Sequence, residues 1–233
     1  MKTIVITGML SGLGLALAEQ CLAEGWSVVG IVKQKRLIGI ESFDNHSNLT
    51  LLVADISDKN QVRRAFEMIS ARFGSIDVLV NNAAVFKNVS FCESGIEDVD
   101  RLIDTNLKGA IYCSFYAIKI IKSKIGKIVN IGSVAGEHGI PGQAVYCASK
   151  FGLAGFSDAL GQELHVHKGV KVINIAPGGI NTPLWNTDNP YPGGDTVQLL
   201  QSEEIAKIVM QVINQPSHVV VKKLIVFPSN EWH

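Results

Sequence analysis

Short runs of Val, Ile and Leu alternate along this 233-residue chain with stretches whose apolar residues recur every three or four positions. "TIVITG" at the start reads as a buried strand, and a helix is predicted over 12–24. Strands follow in "WSVVGIV" (26–32) and "LTLLVAD" (49–55). The segment 57–73 then carries Val62, Phe66, Ile69 and Phe73 at helical spacing. After it come a strand in "IDVLVNN", a helix over 100–122, a strand in "GKIVNIGS", a helix over 145–167 and a strand in "GVKVINIAPG". A last helix holds Ile205, Ile208, Val209 and Val212 on one face, and "VVVKKLIVF" closes the chain as an edge strand. Strands this continuously apolar, each followed by a helix, predict an α/β fold with a parallel sheet covered on both faces. The expectation is one doubly wound domain over 1–233 with seven strands. Its ligand site lies beyond the carboxyl ends of the strands, where strand order reverses. No repeat or linker divides the chain.

Composition narrows the class. An apolar content of 47% supports a sizeable core and excludes a disordered chain. Lys and Arg total 21 against 21 for Asp and Glu, so nothing in the charge balance calls for nucleic acid or an anionic membrane. No apolar run is long enough to span a bilayer, and "MKTIVITG" lacks the pattern of a secretory signal. Cys21, Cys92, Cys113 and Cys147 are scattered without metal-ligand spacing, and the six histidines form no metal motif. Reduced thiols, no metal and a cytoplasmic location are expected.

Candidate chemistry begins at "TGMLSGLG" (7–14), where the first strand turns into a helix. Glycines permit a tight turn there, and a helix N-terminus favours a phosphate. The spacing is not GxGxxG, since Leu17 stands where a third glycine would. A second candidate is "YCASK", which puts Tyr146 and Lys150 on one helix face. A surface pair, a ring covering a lysine stem and a tuned acid all fit that spacing. A free phenol titrates near pH ~10. A nearby ammonium lowers that value toward the range useful for proton transfer.

The ordered set resembles the short-chain dehydrogenase/reductase family over essentially the whole chain. It comprises TGxxxGxG after the first strand, Asp55 after the third, "NNAA" at 81–84, Asn106 in "TNLKG", Ser133 in "NIGS", Tyr146 and Lys150 as YxxxK, and "PGGINT" at 177–182. The resemblance implies NAD(P) binding, with Gly8, Ser11, Gly12, Leu13 and Gly14 around the pyrophosphate and adenosine ribose. It places Asp55 at the adenine, Asn82 near the adenosine ribose, and Ile180 and Thr182 near the nicotinamide amide. Ile56, Ala83, Pro177 and Gly178 join these cofactor contacts. It further implies that Tyr146 donates the proton to a carbonyl that Ser133 polarises. Lys150 lowers the phenol pKa and bonds the nicotinamide ribose, and Asn106 holds a water behind Lys150.

The nucleotide is read from the end of the second strand, where an acidic residue would bind the ribose hydroxyls of NAD. Here Val32 is followed by Lys33, Gln34, Lys35 and Arg36, with no carboxylate before Glu41. Cations without an acid favour NADP(H), with NAD(H) possible. The reading is an oxidoreductase passing hydride between the nicotinamide and a small-molecule carbonyl or secondary alcohol. "IGSVAGEHGIPGQAVYCASK" is similar to the 3-oxoacyl-carrier-protein reductases of the family, so a 3-oxoacyl thioester is an alternative substrate. An NADP-sensing regulator without turnover is the alternative from another class. Leu184, Trp185 and Tyr191 after Pro183, together with Glu137, His138 and Gln143, are candidate pocket walls. The "LIVFPSNEWH" ending departs from the family's Asp-Gly-Gly. The resemblance implies that two long helices pair against a partner subunit, and their apolar residues (Leu107, Ile111, Phe115, Ile118, Phe151, Phe156, Leu160) are more than one face needs, so a homodimer or homotetramer is expected.

Overall fold

The computed structural model describes residues 1–34, 46–122, 124–187, 189–191 and 196–231. Lys35, Arg36 and Glu41 of the cofactor argument lie outside them, as do Asp188 and 192–195 of the segment after Pro183. Strands β1 (Thr3–Thr7) and β2 (Ser27–Val32) flank helix α1 (Gly12–Ala23), and β3 (Leu49–Val53) precedes α2 (Lys59–Phe73). The Asp58 carboxylate caps α2 by accepting from the Asn60 and Gln61 amides. Then follow β4 (Val78–Asn81), α3 (Ile96–Ile103), a π-helical turn (Asp104–Gly109) and α4 (Ala110–Ala117). The chain continues through β5 (Lys127–Ile131), α5 (Ala144–Lys168), β6 (Lys171–Pro177), the short strands β7 (Ile180–Asn181) and β8 (Leu200–Gln201), α6 (Ser202–Ile213) and β9 (Lys223–Val226).

Seven strands form one sheet in the order β3-β2-β1-β4-β5-β6-β9, every neighbouring pair parallel. Alternate residues of each strand serve opposite faces. Ile4, Ile6, Val28 and Val80 pack with Leu17 and Cys21 of α1 and Ile205 and Val209 of α6. Val5, Val29 and Leu79 pack with Val62, Phe66 and Ile69 of α2 and with Cys113 and Ala117 of α4. Both faces of the central strands are therefore buried, as the Val/Ile runs require, while the edge strands β3 and β9 are partly exposed. Strand order reverses between β1 and β4, which opens a crevice at their carboxyl ends.

Three elements differ from the pattern-based expectation. The helix expected over 100–122 begins at Ile96, where Glu97 and Asp98 complement the N-terminal dipole, and it ends at Ala117. It ends early because the backbone swings beside Ile76: the Ile76 amide donates to the Ile120 carbonyl (3.1 Å) and the Lys122 amide to the Ile76 carbonyl (3.0 Å). The π-helical turn in its middle is a second departure. The third is the edge strand, which is confined to Lys223–Val226, and the short strands β7 and β8, for which the pattern gave no expectation, pair with each other.

Candidate functional site

The crevice holds a cavity of about 890 Å³. At one end lies the β1–α1 turn. Gly8 sits at φ 67°, and a Cβ there would stand 2.8 Å from the Ala83 Cα. Gly14 does not line the cavity; it lets α1 come down onto the turn, since a Cβ on it would lie 2.4 Å from the Gly8 carbonyl oxygen. The Thr7 hydroxyl accepts from the amides of Asn82 and Ala83, both at 3.0 Å. The Asn82 side-chain amide donates back to the carbonyls of Thr7 (2.9 Å) and Gly8 (3.1 Å). Two loops far apart in sequence thereby hold one shape. Ser11 occupies the N-cap of α1 and lines the cavity, but its side chain caps nothing, which keeps the helix N-terminus receptive to an anion.

Lys33 and Asp55, at the ends of β2 and just beyond β3, meet at 2.6 Å on the cavity wall. Burial acts to raise the Asp55 carboxyl, but hydrogen bonds from Lys33 and Ser57 outweigh it and hold the group below its ordinary value. Lys33 is thus engaged with an acid that follows β3, a partner not apparent from the β2 sequence.

Ser133, Tyr146 and Lys150 line the same cavity, as do Gly8, Gly12, Leu13, Ile56, Asn82, Ala83, Pro177, Gly178, Ile180 and Thr182. Tyr146 and Lys150 lie on α5, both buried, with the Lys150 ammonium 5.6 Å from the phenol ring centre and donating to the Ile131 carbonyl at 2.9 Å. Burial pushes the Tyr146 phenol up to about 12 while the Ser133 hydroxyl, hydrogen-bonded to it, acts in the lowering direction. Burial likewise pushes Lys150 down to about 8. The expected lowering of the phenol by Lys150 is not found here: removal from water outweighs it.

Asn106 stands behind the cavity wall rather than in it. Its side chain clamps the backbone of Val85, accepting from the amide at 2.8 Å and donating to the carbonyl at 2.9 Å. It also donates to the Ser149 hydroxyl at 3.2 Å, which in turn donates to the Tyr146 carbonyl at 2.7 Å. The π-helical turn carries Asn106, a setting in which such turns often mark functional positions. Glu137, a candidate wall residue, instead pairs with Lys223, whereas His138 and Gln143 do line the cavity.

Several residues were missed by sequence reasoning. Asn81 and Asn130 face each other across β4 and β5 at 2.8 Å, and Asn130 donates to Ser157 of α5 at 2.8 Å. This buried ladder ties the sheet to the helix carrying Tyr146. "NN" and "VNI" are its only trace in the sequence. Phe86 packs edge-on to Tyr146 and to Trp185, each at 4.9 Å between ring centres, and Trp185 meets Tyr191 at 5.1 Å. Trp185 is fixed by its indole N–H donating to the Ile180 carbonyl at 2.9 Å. Glu231, from the C-terminal segment, completes this wall, and no local pattern points to it.

No group of His, Cys, Asp and Glu suited to a metal occurs among the described residues. No helix among them is long and apolar enough to cross a membrane.

Residues 2–192 match the model of the short chain dehydrogenase family. The chain is similar to a 3-oxoacyl-[acyl-carrier-protein] reductase FabG from Haemophilus influenzae, 33% identical over 217 residues, covering 89% of this chain and 88% of the relative. It is also similar to a serine 3-dehydrogenase from Rhizobium radiobacter, 30% identical over 239 residues, covering 98% and 94%. Among solved structures, a short chain dehydrogenase from Burkholderia cenocepacia in complex with NADP superposes with a TM-score of 0.85 at 25% identity, covering 97% of this chain and 96% of that one.

Proposed function

The chain belongs to the short-chain dehydrogenase family, and from that premise we propose that it reduces a small ketone, or oxidises the matching secondary alcohol, with NADP(H) as the favoured nicotinamide. One observation carries the reading: Ser133, Tyr146 and Lys150 share a single cavity with the glycine turn of α1. The residues present suit a dinucleotide phosphate. The α1 N-terminus is left uncapped by Ser11, Gly8 and Gly14 keep the turn free of side chains, and Lys33 supplies a cation for a 2′-phosphate.

When bound, the nicotinamide supplies the hydride. The protein's share is orientation and proton transfer. Ser133 donates a hydrogen bond to the substrate oxygen and polarises it. Tyr146, protonated at neutral pH because burial holds its pKa up, passes its phenolic proton to that oxygen. Lys150 fixes the Ile131 carbonyl and offers positive charge behind the phenol. Asn106 acts at one remove, by setting the Val85 backbone and, through Ser149, the first turn of α5. Gly8, Ser11, Gly12, Leu13, Asp55, Ile56, Asn82, Ala83, Pro177, Gly178, Ile180 and Thr182 form the cofactor wall.

Residues 1–233 are read as one unit carrying both sites, working as a homo-oligomer in the cytoplasm. Similarity to the FabG relative favours 3-oxoacyl thioesters as a second substrate reading, and similarity to the serine 3-dehydrogenase favours 3-hydroxy amino acids. A nucleotide sensor has no need of Ser133 and Tyr146 together. The test is a panel of ketones, 3-oxoacyl thioesters and alcohols with NADPH or NADP+, followed by the absorbance of the reduced nicotinamide. Tight NADPH binding with no turnover on any member would establish the sensor instead.

A further inference from the structure

The C-terminal segment returns across the cavity and delivers one carboxylate to its wall. Glu231 Oε2 accepts from the Gly179 amide at 2.8 Å, and Oε1 accepts from the Tyr191 hydroxyl at 2.6 Å. The niche is shaped for it. A Cβ on Gly178 would lie 2.5 Å from Oε2, and one on Gly179 would lie 2.6 Å from Oε1. Two consecutive glycines after β6 thus leave room for an acid from 52 residues further along.

That acid is held by neutral donors. Among the described residues no Lys, Arg or His forms an ion pair with Glu231. A carboxylate offers about four acceptor directions, and the described donors use two of them. Beside it runs the aromatic row Tyr191–Trp185–Phe86–Tyr146, each ring set edge-to-face on the next and all four lining the cavity. Aromatic faces joined to a carboxylate with no counter-ion among the described residues make a site for an ammonium ion. The other end of the same row is the candidate proton donor.

We infer that Glu231 and the Trp185–Tyr191 wall select substrates bearing an ammonium group at the end remote from the reacting carbonyl. The substrate class is an amino ketone or its amino alcohol, with its carbon skeleton lying along the aromatic row. Glu231 is a specificity-determining residue in this scheme, and Tyr191 positions it. The inference rests on the reductase reading of the same cavity.

The test compares methyl ketones carrying a terminal primary amine with their N-acetylated counterparts, over a series of chain lengths, with NADPH. A kcat/KM at least about tenfold higher for the amine at one or more lengths is expected, in line with a charge-assisted hydrogen bond. Glu231→Gln should bring that ratio toward one, and Tyr191→Phe should reduce it partway. Affinities for NADPH and NADP+ are measured on each variant. Reduction of both ketone series at equal efficiency overturns the inference alone, as does a preference that survives Glu231→Gln. Loss of NADP+ affinity in Glu231→Gln with the preference intact also overturns it, by assigning the carboxylate to the nicotinamide charge. If no ketone of either series, no 3-oxoacyl thioester and no alcohol is turned over, the reductase reading fails and takes the inference with it.

Discussion

The Lys150 ammonium lies 5.6 Å from the centre of the Tyr146 ring and gives its hydrogen bond to the Ile131 carbonyl, not to the phenol. Burial governs both groups, raising the phenol to about 12 and lowering the ammonium to about 8. The pair therefore rests as neutral phenol and ammonium at neutral pH, the state that carbonyl reduction needs.

A directional pH profile follows. Reduction consumes the phenolic proton, which Tyr146 carries throughout the neutral range, so kcat for reduction should be flat from about pH 6 until Lys150 begins to lose its charge near pH 8. Alcohol oxidation needs the phenolate, whose population climbs about tenfold per pH unit below the pKa. Its rate should climb likewise until Lys150 begins to lose its charge near pH 8. Tyr146→Phe keeps the ring and should lower both rates by about 10²–10⁴-fold while NADPH affinity stays within about twofold. A reductive rate that collapses between pH 6 and 8 would contradict the assignment.

Stability should depend on pH in the alkaline range. Lys127 and Lys150 are both lowered from 10.5 to about 8, chiefly by burial. Below about pH 8 each is charged in folded and unfolded chains, and the cost of burying the charge is fully present. Between about 8 and 10.5 the unfolded chain holds more protons, so stability rises with pH. Tyr146, Cys21 and Cys113 act oppositely: the unfolded phenol ionises near 10 and the unfolded thiols near 9, while burial holds all three folded groups to about 12, so their contribution to stability falls above about pH 9. Urea midpoints measured from pH 7 to 11 should pass through a maximum, and Lys150→Met should flatten the rising limb.

The sheet and its order of elements were legible because both faces of its central strands are buried, which favours Val/Ile runs such as "TIVIT". Ser133, Tyr146 and Lys150 were legible because their spacing is short-range or follows a strand end. What depended on tertiary contact was not. The 100–122 helix hid its π-helical turn and its early end, since a pairing with Ile76 decides where it stops. The Lys33–Asp55 pair joins the ends of two strands, and Glu231 reaches Gly179 across 52 residues. No periodicity records such contacts. Burial reversed the expected sign for Tyr146, because desolvation is a property of the packed site and not of the YxxxK spacing.

The proposed preference for NADP(H) is tested at Lys33. Its side chain is 73% exposed, so its pairing with Asp55 at 2.6 Å is worth at most about 1 kcal/mol. A 2′-phosphate can take that ammonium from Asp55 at little cost and with a stronger charge-assisted bond. NADPH should bind more tightly than NADH, and Lys33→Gln should shrink the ratio by about tenfold. Lys33→Asp sets a second carboxylate beside Asp55 and should flatten or reverse it. Fluorescence titration with both nucleotides checks this; an unmutated protein that prefers NADH refutes it.

Assembly is open to a simple measurement. Phe115 of α4 is 57% exposed and Phe151 of α5 is 46% exposed, whereas Leu107 packs inward against Gly152. Two solvent-facing phenylalanines, one on α4 and one on α5, suit a face shared between copies. Light scattering at micromolar concentration should report a dimer or tetramer, and Phe115→Asp with Phe151→Asp should shift it toward monomer. A monomeric parent protein would remove the case for that face.

The closest packing in the site makes the sharpest mutational test. Gly14→Ala would place a methyl group 2.4 Å from the Gly8 carbonyl oxygen, 2.7 Å from the Asn82 amide nitrogen and 3.0 Å from the Met9 Cα. Two of those atoms are backbone, and the third is the donor that fixes the turn, so none can yield without moving it. Alanine is the better helix former by about 0.8–1 kcal/mol, an effect that acts in the opposite direction. The overlap outweighs it, because α1 must lift off the turn it covers. NADPH affinity should fall at least about tenfold through loss of the preorganised anion site, with far-UV circular dichroism close to the parent. Gly25→Ala separates turn shape from general instability. Gly25 has φ 75° with nothing within 4 Å of a Cβ, so alanine there should cost about 1–2 kcal/mol of strain and leave NADPH affinity unchanged. Equal loss of affinity in both variants would mean that global stability, and not the fit of α1 onto Gly8, controls the nucleotide site.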